Sequence, residues 1–182
     1  MSGRRMLRLT LLGVAAFMFS VTPGSAEWTC DGTLIVASAD ESTGPGQGCG
    51  NNYLATQTSN DVHQCLRETV VDGTKSRLTH IWRFNDVPAG TISFIYEGNR
   101  PANPETDNFK FSMYYDTEEG PFFLLMPGVV ISKAFELQGG IKHETNHVTD
   151  EQTDFHVIIN DTVVNGTHLA TVNVDYLAIC VE

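Results

Sequence analysis

Alternation of apolar and polar residues is the strongest pattern in this chain. From residue 108 to 116 it is strict, with an apolar side chain at every second position: Phe109, Phe111, Met113 and Tyr115. Successive side chains of a strand point to opposite faces, so a period of two predicts a β-strand with one buried face. Residues 91–97 are rich in aromatic and β-branched residues and predict a second strand. The loop between them contains two prolines, which exclude a helix.

The same texture continues along most of the chain. Further strands are predicted at residues 33–37, 61–70, 76–84, 122–126, 129–137, 155–160 and 169–181, with turn residues between them. In the third of these, Trp82 and Phe84 are predicted core residues, and His80 on the same face is predicted to be a satisfied core or rim histidine. About eight short strands without a convincing helix predict an all-β protein, an antiparallel jelly-roll sandwich.

The first residues carry a different signal. Arg4, Arg5 and Arg8 accompany an apolar run from Leu9 to Val21, and small residues follow up to Ala26. This pattern predicts a secretory signal peptide over residues 1–26. The remainder divides into a glycine-rich extension, 27–52, and the sandwich domain, 53–182. The extension is expected to be held by a disulfide rather than by packing against a core. The predicted location is therefore secreted, extracellular or periplasmic.

Charge narrows the range of partners. The chain has 22 acidic residues against 11 lysines and arginines, a net charge of −11, and removal of the three signal arginines makes it more acidic. Such a surface repels phosphate backbones, so nucleic acid is not an expected partner. Membrane insertion of the mature chain is not expected either, because no further apolar run approaches membrane length. An extracellular polysaccharide or a cell-surface component is the expected partner.

The four cysteines all follow the predicted signal, where an oxidising setting favours disulfides. Their spacings are too wide for a zinc knuckle. Cys30 and Cys49 flank the extension, whereas Cys65 and Cys180 lie in the first and last predicted strands of the domain. Because those strands are often neighbours in a jelly roll, we predict the pairs Cys30–Cys49 and Cys65–Cys180.

One motif carries potential catalytic chemistry. His143, Glu144 and His147 match H-E-x-x-H, which on a helix directs two imidazoles toward zinc and places the glutamate beside the metal-bound water. The flanking residues are poor helix formers, and Asp150 and Thr153 occupy places where a third-ligand pattern would need other residues. The favoured interpretation is a polar loop between strands, with zinc as the alternative.

A second set of polar residues could hold calcium. Asp175 alternates with Leu177 and Ile179, so its carboxylate should point the same way as apolar neighbours and needs a partner. The residues that could supply oxygen ligands together are Glu97, Asn103, Asp107, Asp161 and Asp175. In the alternative, the aspartates at 107 and 161 cap turns and Asp175 binds an arginine.

Three aromatic residues are predicted to face solvent. Tyr114 lies opposite the face of Phe109 and Phe111, while Tyr53 and Trp28 stand in polar surroundings. Exposed flat rings are the groups on which sugar faces stack. These three residues are therefore the predicted ligand-binding residues.

Several motifs together resemble a known family. They are residues 76–84, Asp107-Asn-Phe, Asn160-Asp-Thr and Val174-Asp-Tyr-Leu, in an order that covers residues 53–181. The set resembles bacterial and archaeal secreted β-sandwich modules of the carbohydrate-binding kind, which are often appended to exported hydrolases. The resemblance implies a non-catalytic binding or adhesion module for extracellular carbohydrate. A zinc-dependent hydrolase and a self-associating structural surface protein remain as alternatives.

Overall fold

The computed structural model describes residues 29–41, 44–60, 62–101, 108–124, 130–131, 141–162 and 168–182. Trp28, Asn103 and Asp107 and the predicted signal peptide lie outside these ranges. The strands are β1 Thr33–Val36, β2 Ala39–Glu41, β3 Gln47–Gly48, β4 Gln64–Arg67, β5 Thr69–Val71, β6 Lys75–Arg77, β7 Thr79–Val87, β8 Gly90–Asn99, β9 Phe109–Thr117, β10 Gly120–Leu124, β11 Val130–Ile131, β12 Ile141–Thr149, β13 Thr153–Asp161 and β14 Thr171–Val181. One 3-10 turn, Tyr53–Thr56, precedes β4. Within the described ranges, no helix has the length and apolar character needed to cross a membrane.

Two antiparallel sheets form the protein, which confirms the predicted sandwich. Sheet A has the order β12-β8-β14-β4-β3, with β1 also on β14. Sheet B has the order β10-β9-β13-β7-β2, with β11 also on β9. Eight of the strands form nested antiparallel pairs, in which the first strand of the set pairs with the last, the second with the second last, and so on. The pairs are β4 with β14, β7 with β13, β8 with β12, and β9 with β10. This nested pairing of eight strands over two sheets is the jelly-roll arrangement. The short strands β1, β2, β3 and β11 add to these two sheets, whereas β5 and β6 pair with each other as a separate two-stranded sheet.

The core lies between the two sheets and is rich in aromatic rings. Trp82 and Phe84 are fully buried, as predicted, and Phe111 contacts Trp82, Phe94 and Tyr96. His80 is also buried, with its ring 4.7 Å from that of Trp82 and its Nε2 3.4 Å from an Asp40 oxygen. The prediction of a satisfied core histidine is therefore confirmed.

The segment before residue 53 is not a separate extension, contrary to the prediction. β1 pairs with β14, β2 with β7 and β3 with β4, so the segment adds strands to both sheets. Ala37, between β1 and β2, is completely buried in the main core. The strands of this segment are only two to four residues long, and the segment is rich in glycine. Strands this short give no clear alternation, so the sequence predicted an unpacked extension.

The disulfide pairing also differs from the prediction. Cys30 is bonded to Cys180, and Cys49 to Cys65. The pairing of β1 with β14 brings Leu34 opposite Cys180, which places Cys30 near that strand end. Cys65 does lie on a strand next to β14, but its partner there is Asn173. Cys180 lies seven positions further along β14 than Asn173. At the rise of a strand this is about 23 Å, a distance that no disulfide can bridge.

Candidate functional site

The outer faces of the two sheets differ sharply. On β8 and β14 of sheet A most residues are buried on both faces. A second apolar cluster, formed by Ile95, Tyr176, Ala178 and Cys180, packs there against Cys30 and Val36. On β9 and β13 of sheet B, buried residues alternate with partly exposed ones. The accessible broad surface among the described residues is therefore the outer face of sheet B.

A row of side chains crosses this face from one edge toward the other. Strand register places Phe123 beside Tyr114, Tyr114 beside His156, and His156 beside Arg83. Four strands, β10, β9, β13 and β7, thus contribute one residue each. We call Phe123, Tyr114, His156 and Arg83 the cross-strand row.

Rings occupy the β10 end of the cross-strand row. His156 stacks nearly parallel on Tyr114, with centroids 4.6 Å apart and planes 10° apart. Phe123 lies 5.2 Å from Tyr114 at a tilt of 37°. Tyr114 therefore has a ring on each side, and the freely accessible aromatic surface belongs to Phe123, which is 55% exposed.

Charged and polar groups occupy the other end. A guanidinium nitrogen of Arg83 pairs with a Glu41 carboxylate oxygen from the edge strand β2. Ser38 donates a hydrogen bond to the Arg83 carbonyl at 3.1 Å, which ties the segment before β2 to β7. These groups can donate to and accept from the hydroxyls of a ligand that lies along the row.

A polar cleft of about 600 Å³ adjoins the row at the start of β13. Its lining combines charged and amide side chains with the row's own polar members: Arg83, Asp86, Asp116, Glu151, Gln152, Thr153, Asp154 and His156. The wall is ordered by hydrogen bonds, because Asp154 Oδ1 accepts from the Asp86 backbone N–H at 2.8 Å and Gln152 Nε2 donates to Asp86 Oδ1 at 2.5 Å.

Burial shifts two pKa values within the row. Burial lowers the pKa of His156, although Asp116, 3.9 Å away, acts in the opposite direction. Burial also raises the pKa of Tyr114, and the Asp116 carboxylate adds to this. At neutral pH the neutral imidazole and phenol favour stacking and hydrogen bonding over charge pairing.

The three aromatic residues predicted to bind ligand lie in different environments or outside the described residues. Tyr114 does lie on the outer face, opposite buried Phe109 and Phe111 as predicted, but it is half-buried rather than freely exposed. Tyr53 was predicted to face solvent, but it is partly buried and packs against the main core. Trp28 lies outside the described residues.

The predicted calcium ligands do not all meet. Glu97 and Asp175 are buried on neighbouring strands of sheet A, with Asp175 in a bulge opposite Glu97. Asp161 ends a strand of sheet B, where its Oδ1 accepts from the Leu78 backbone N–H at 3.2 Å and burial raises its pKa. Across the described ranges, these three carboxylates do not form a group close enough to share an ion. The hydrogen bond to Leu78 agrees with the alternative in which Asp161 caps a turn, whereas the other carboxylate oxygen, Oδ2, is buried without a hydrogen bond.

The H-E-x-x-H segment is neither the helix of a zinc site nor the predicted loop. Residues 141–149 form β12 at the edge of sheet A, with a bulge between Glu144 and His147. His147 contacts the rings of Tyr115 and Phe122, which also contact each other, and burial lowers its pKa. His143 pairs opposite Phe94, two residues along β8 from the partner of His147. No group of three metal-ligating side chains around these histidines occurs in the described part of the chain.

Sequence reasoning missed Phe123, His156, Arg83 and Glu41. The signal for Phe123 is its position in an adjacent Phe-Phe pair, since a strand directs only one of two neighbours inward. His156 adjoins Phe155, a residue with strong core character, and so belongs on the outer face by alternation. Their assembly into one row depends on strand register, which no local pattern contains.

Comparison with solved structures gives similarities at low sequence identity. One is the enzymatically active domain of tailspike protein 4 of bacteriophage CBA120, with 9% identity and a TM-score of 0.44 over 82% of this chain. Another is TmCBM61 in complex with β-1,4-galactotriose, with 9% identity and a TM-score of 0.47 over 81% of this chain. A third is the xylan-binding module CBM15, with 11% identity and a TM-score of 0.44 over 83% of this chain. The match covers 19% of the tailspike chain, 91% of TmCBM61 and 97% of CBM15. No family model and no curated protein matches the sequence.

Proposed function

We propose that this protein is an exported, non-catalytic module that binds an extracellular polysaccharide on the outer face of sheet B. The observation that carries the proposal is the cross-strand row, in which rings give way to hydrogen-bonding groups along one line. A sugar chain has apolar C–H faces and polar hydroxyl edges, and it needs both kinds of partner. Two disulfides support export, because disulfides persist in oxidising compartments.

The rings of the row have separate tasks. Phe123 offers its exposed surface to a sugar face, whereas Tyr114 and His156 hold each other and support Phe123 from one side. Because adjacent strands lie about 4.8 Å apart, the row from β10 to β7 extends for roughly 14 Å. That span suits an oligosaccharide segment rather than a single sugar.

The first prediction tests the row with two neighbouring residues. Phe123→Ala should weaken retention of the protein by a bound polysaccharide roughly tenfold, because it removes the stacking surface. Phe122→Ala is the matched control, since Phe122 is 47% exposed on the same strand but faces Tyr115 and His147. Affinity electrophoresis through a panel of soluble polysaccharides measures both variants at a temperature where both are folded. Equal weakening by the two substitutions, or retention by no polysaccharide, would contradict the proposal.

A structural calcium ion stays a prediction. Glu97 and Asp175 are the described carboxylates that could take part, and Ser59 already donates a hydrogen bond to Glu97. An ion bound by the native state alone raises the melting temperature by mass action. Equal melting temperatures in chelator and in millimolar Ca²⁺ would remove this prediction.

A further inference from the structure

The proposed binding site has a strongly one-sided charge. The cleft beside the cross-strand row carries four exposed carboxylates, those of Asp86, Asp116, Glu151 and Asp154. Its one guanidinium, that of Arg83, is paired with Glu41. No lysine lines this cleft among the described residues.

The histidine of the cleft does not offset these charges at neutral pH. Burial lowers the pKa of His156, so the imidazole is largely neutral there. Asp116 lies 3.9 Å from His156 Nε2, and its side chain is 71% exposed. Its carboxylate is therefore available to a ligand.

This arrangement selects among polysaccharides by their charge. Uronic acid chains would bring carboxylates against carboxylates, an arrangement that costs free energy. Neutral chains meet neither attraction nor repulsion. A chain with protonated amines would form ion pairs with Asp116, Asp154 and Glu151 while its sugar faces lie along the row.

We propose that the site prefers a polysaccharide with free amino groups, a hexosamine polymer, over its N-acetylated form and over uronic acid polymers. This inference rests on the proposed function, because it assigns the ligand class of the same site. Exposed ion pairs are individually weak, so the preference should be modest, about threefold or more in Kd. Salt should reduce it through screening.

The experiment measures Kd by calorimetry for three soluble oligosaccharides: β-1,4-linked glucosamine, its fully N-acetylated counterpart and an oligogalacturonate. The buffer must protonate the amines and leave the carboxylates charged. We expect the amino form to bind about threefold or more tightly than the acetylated form. The oligogalacturonate should bind most weakly.

Charge variants distinguish an effect of the cleft carboxylates from an effect of the protein's net charge. In Asp116→Asn/Asp154→Asn the ratio of the two Kd values should fall to about one. The Asn at 154 can still accept the Asp86 backbone N–H. Asp31→Asn/Asp72→Asn removes two exposed carboxylates near Glu182 and in the β5–β6 turn, and it should keep the wild-type ratio. Glu151→Gln repeats the test at one site if the double variant no longer binds.

Each result has a defined meaning. Equal Kd values for amino and acetylated forms, with binding that still depends on Phe123, would overturn the amine preference and leave the polysaccharide proposal standing. Binding of neither form by wild-type protein that retains another polysaccharide through Phe123 would overturn the preference as well. A preference lost equally in both double variants would assign it to net charge and overturn the role of the cleft. Binding of no polysaccharide at all would overturn both proposals.

Discussion

Three buried or half-buried histidines of the two sheets each lie against an aromatic ring. His80 contacts Trp82 edge to face, His147 contacts Tyr115 and Phe122, and His156 stacks on Tyr114. Burial lowers the pKa of all three, and it is the largest cause in each case. A neutral imidazole packs against a ring with little loss of hydration, whereas an imidazolium in the same place loses much of it.

The resulting pH dependence has a definite sign. Each native-state pKa lies below the ordinary value of 6.5, so the unfolded chain binds protons more readily between the two values. Stability is therefore complete above about pH 6.5 and decreases as the pH falls through the lowered native values. Urea unfolding at a series of pH values from about 7.5 to 5 should show this loss.

One substitution checks the assignment of that slope to histidine. The Nε2 atom of His147 is buried and accepts no hydrogen bond. His147→Phe keeps a ring in contact with Tyr115 and Phe122 and removes one titrating group, so stability should depend less steeply on pH in the variant. An unchanged slope would show that His147 does not contribute to it.

Strand patterns predicted from sequence succeed where one face of a strand is buried. The alternation at 109–115 became β9, with Phe109, Phe111 and Met113 buried, because sheet B has one core face and one open face. Residues 141–149 gave no such signal. Asn146 has a φ of 55°, and a bulge at that point breaks the period of two at an edge strand.

Only part of the candidate site could be predicted from the sequence. Alternation alone places Tyr114 on the outer face, which the structure confirms. Its neighbours in the row come from three other strands, and their adjacency follows from the register of pairs such as His156 with Tyr114. Register depends on packing over the whole sheet, so local sequence could not supply the row.

At the scale of the sheets, the described residues cover the outer face of sheet A and leave the outer face of sheet B open. The Cys30–Cys180 bridge lies in the apolar cluster on sheet A, where it holds the start of the described chain against the last strand. β1 continues along the same strand edge as β4, since they pair with successive parts of β14. The segment from Cys30 to Val36 therefore covers the outer face of sheet A, and among the described residues no such segment covers sheet B.

The two disulfides should contribute unequally to this arrangement. Cys30 and Cys180 are 150 residues apart in sequence, whereas Cys49 and Cys65 are 16 apart. In the chain-entropy model the longer loop restricts the unfolded chain more, so its bridge contributes about 5 kcal/mol and the shorter one about 3 kcal/mol. Cys30→Ala/Cys180→Ala should therefore lower the free energy of unfolding more than Cys49→Ala/Cys65→Ala.

Urea unfolding of the two double variants measures that difference, and peptide mapping without reduction establishes the pairing. Alanine is the suitable replacement because Cys180 is fully buried among apolar side chains, where a serine hydroxyl would need a new partner. A fragment that joins Cys30 to Cys49 would contradict the described pairing. If the pairing holds but the short-loop variant is the less stable one, strain or residual structure in the unfolded chain outweighs loop entropy. The N-terminal segment would then be held to sheet A by the β1–β14 pairing more than by its covalent link.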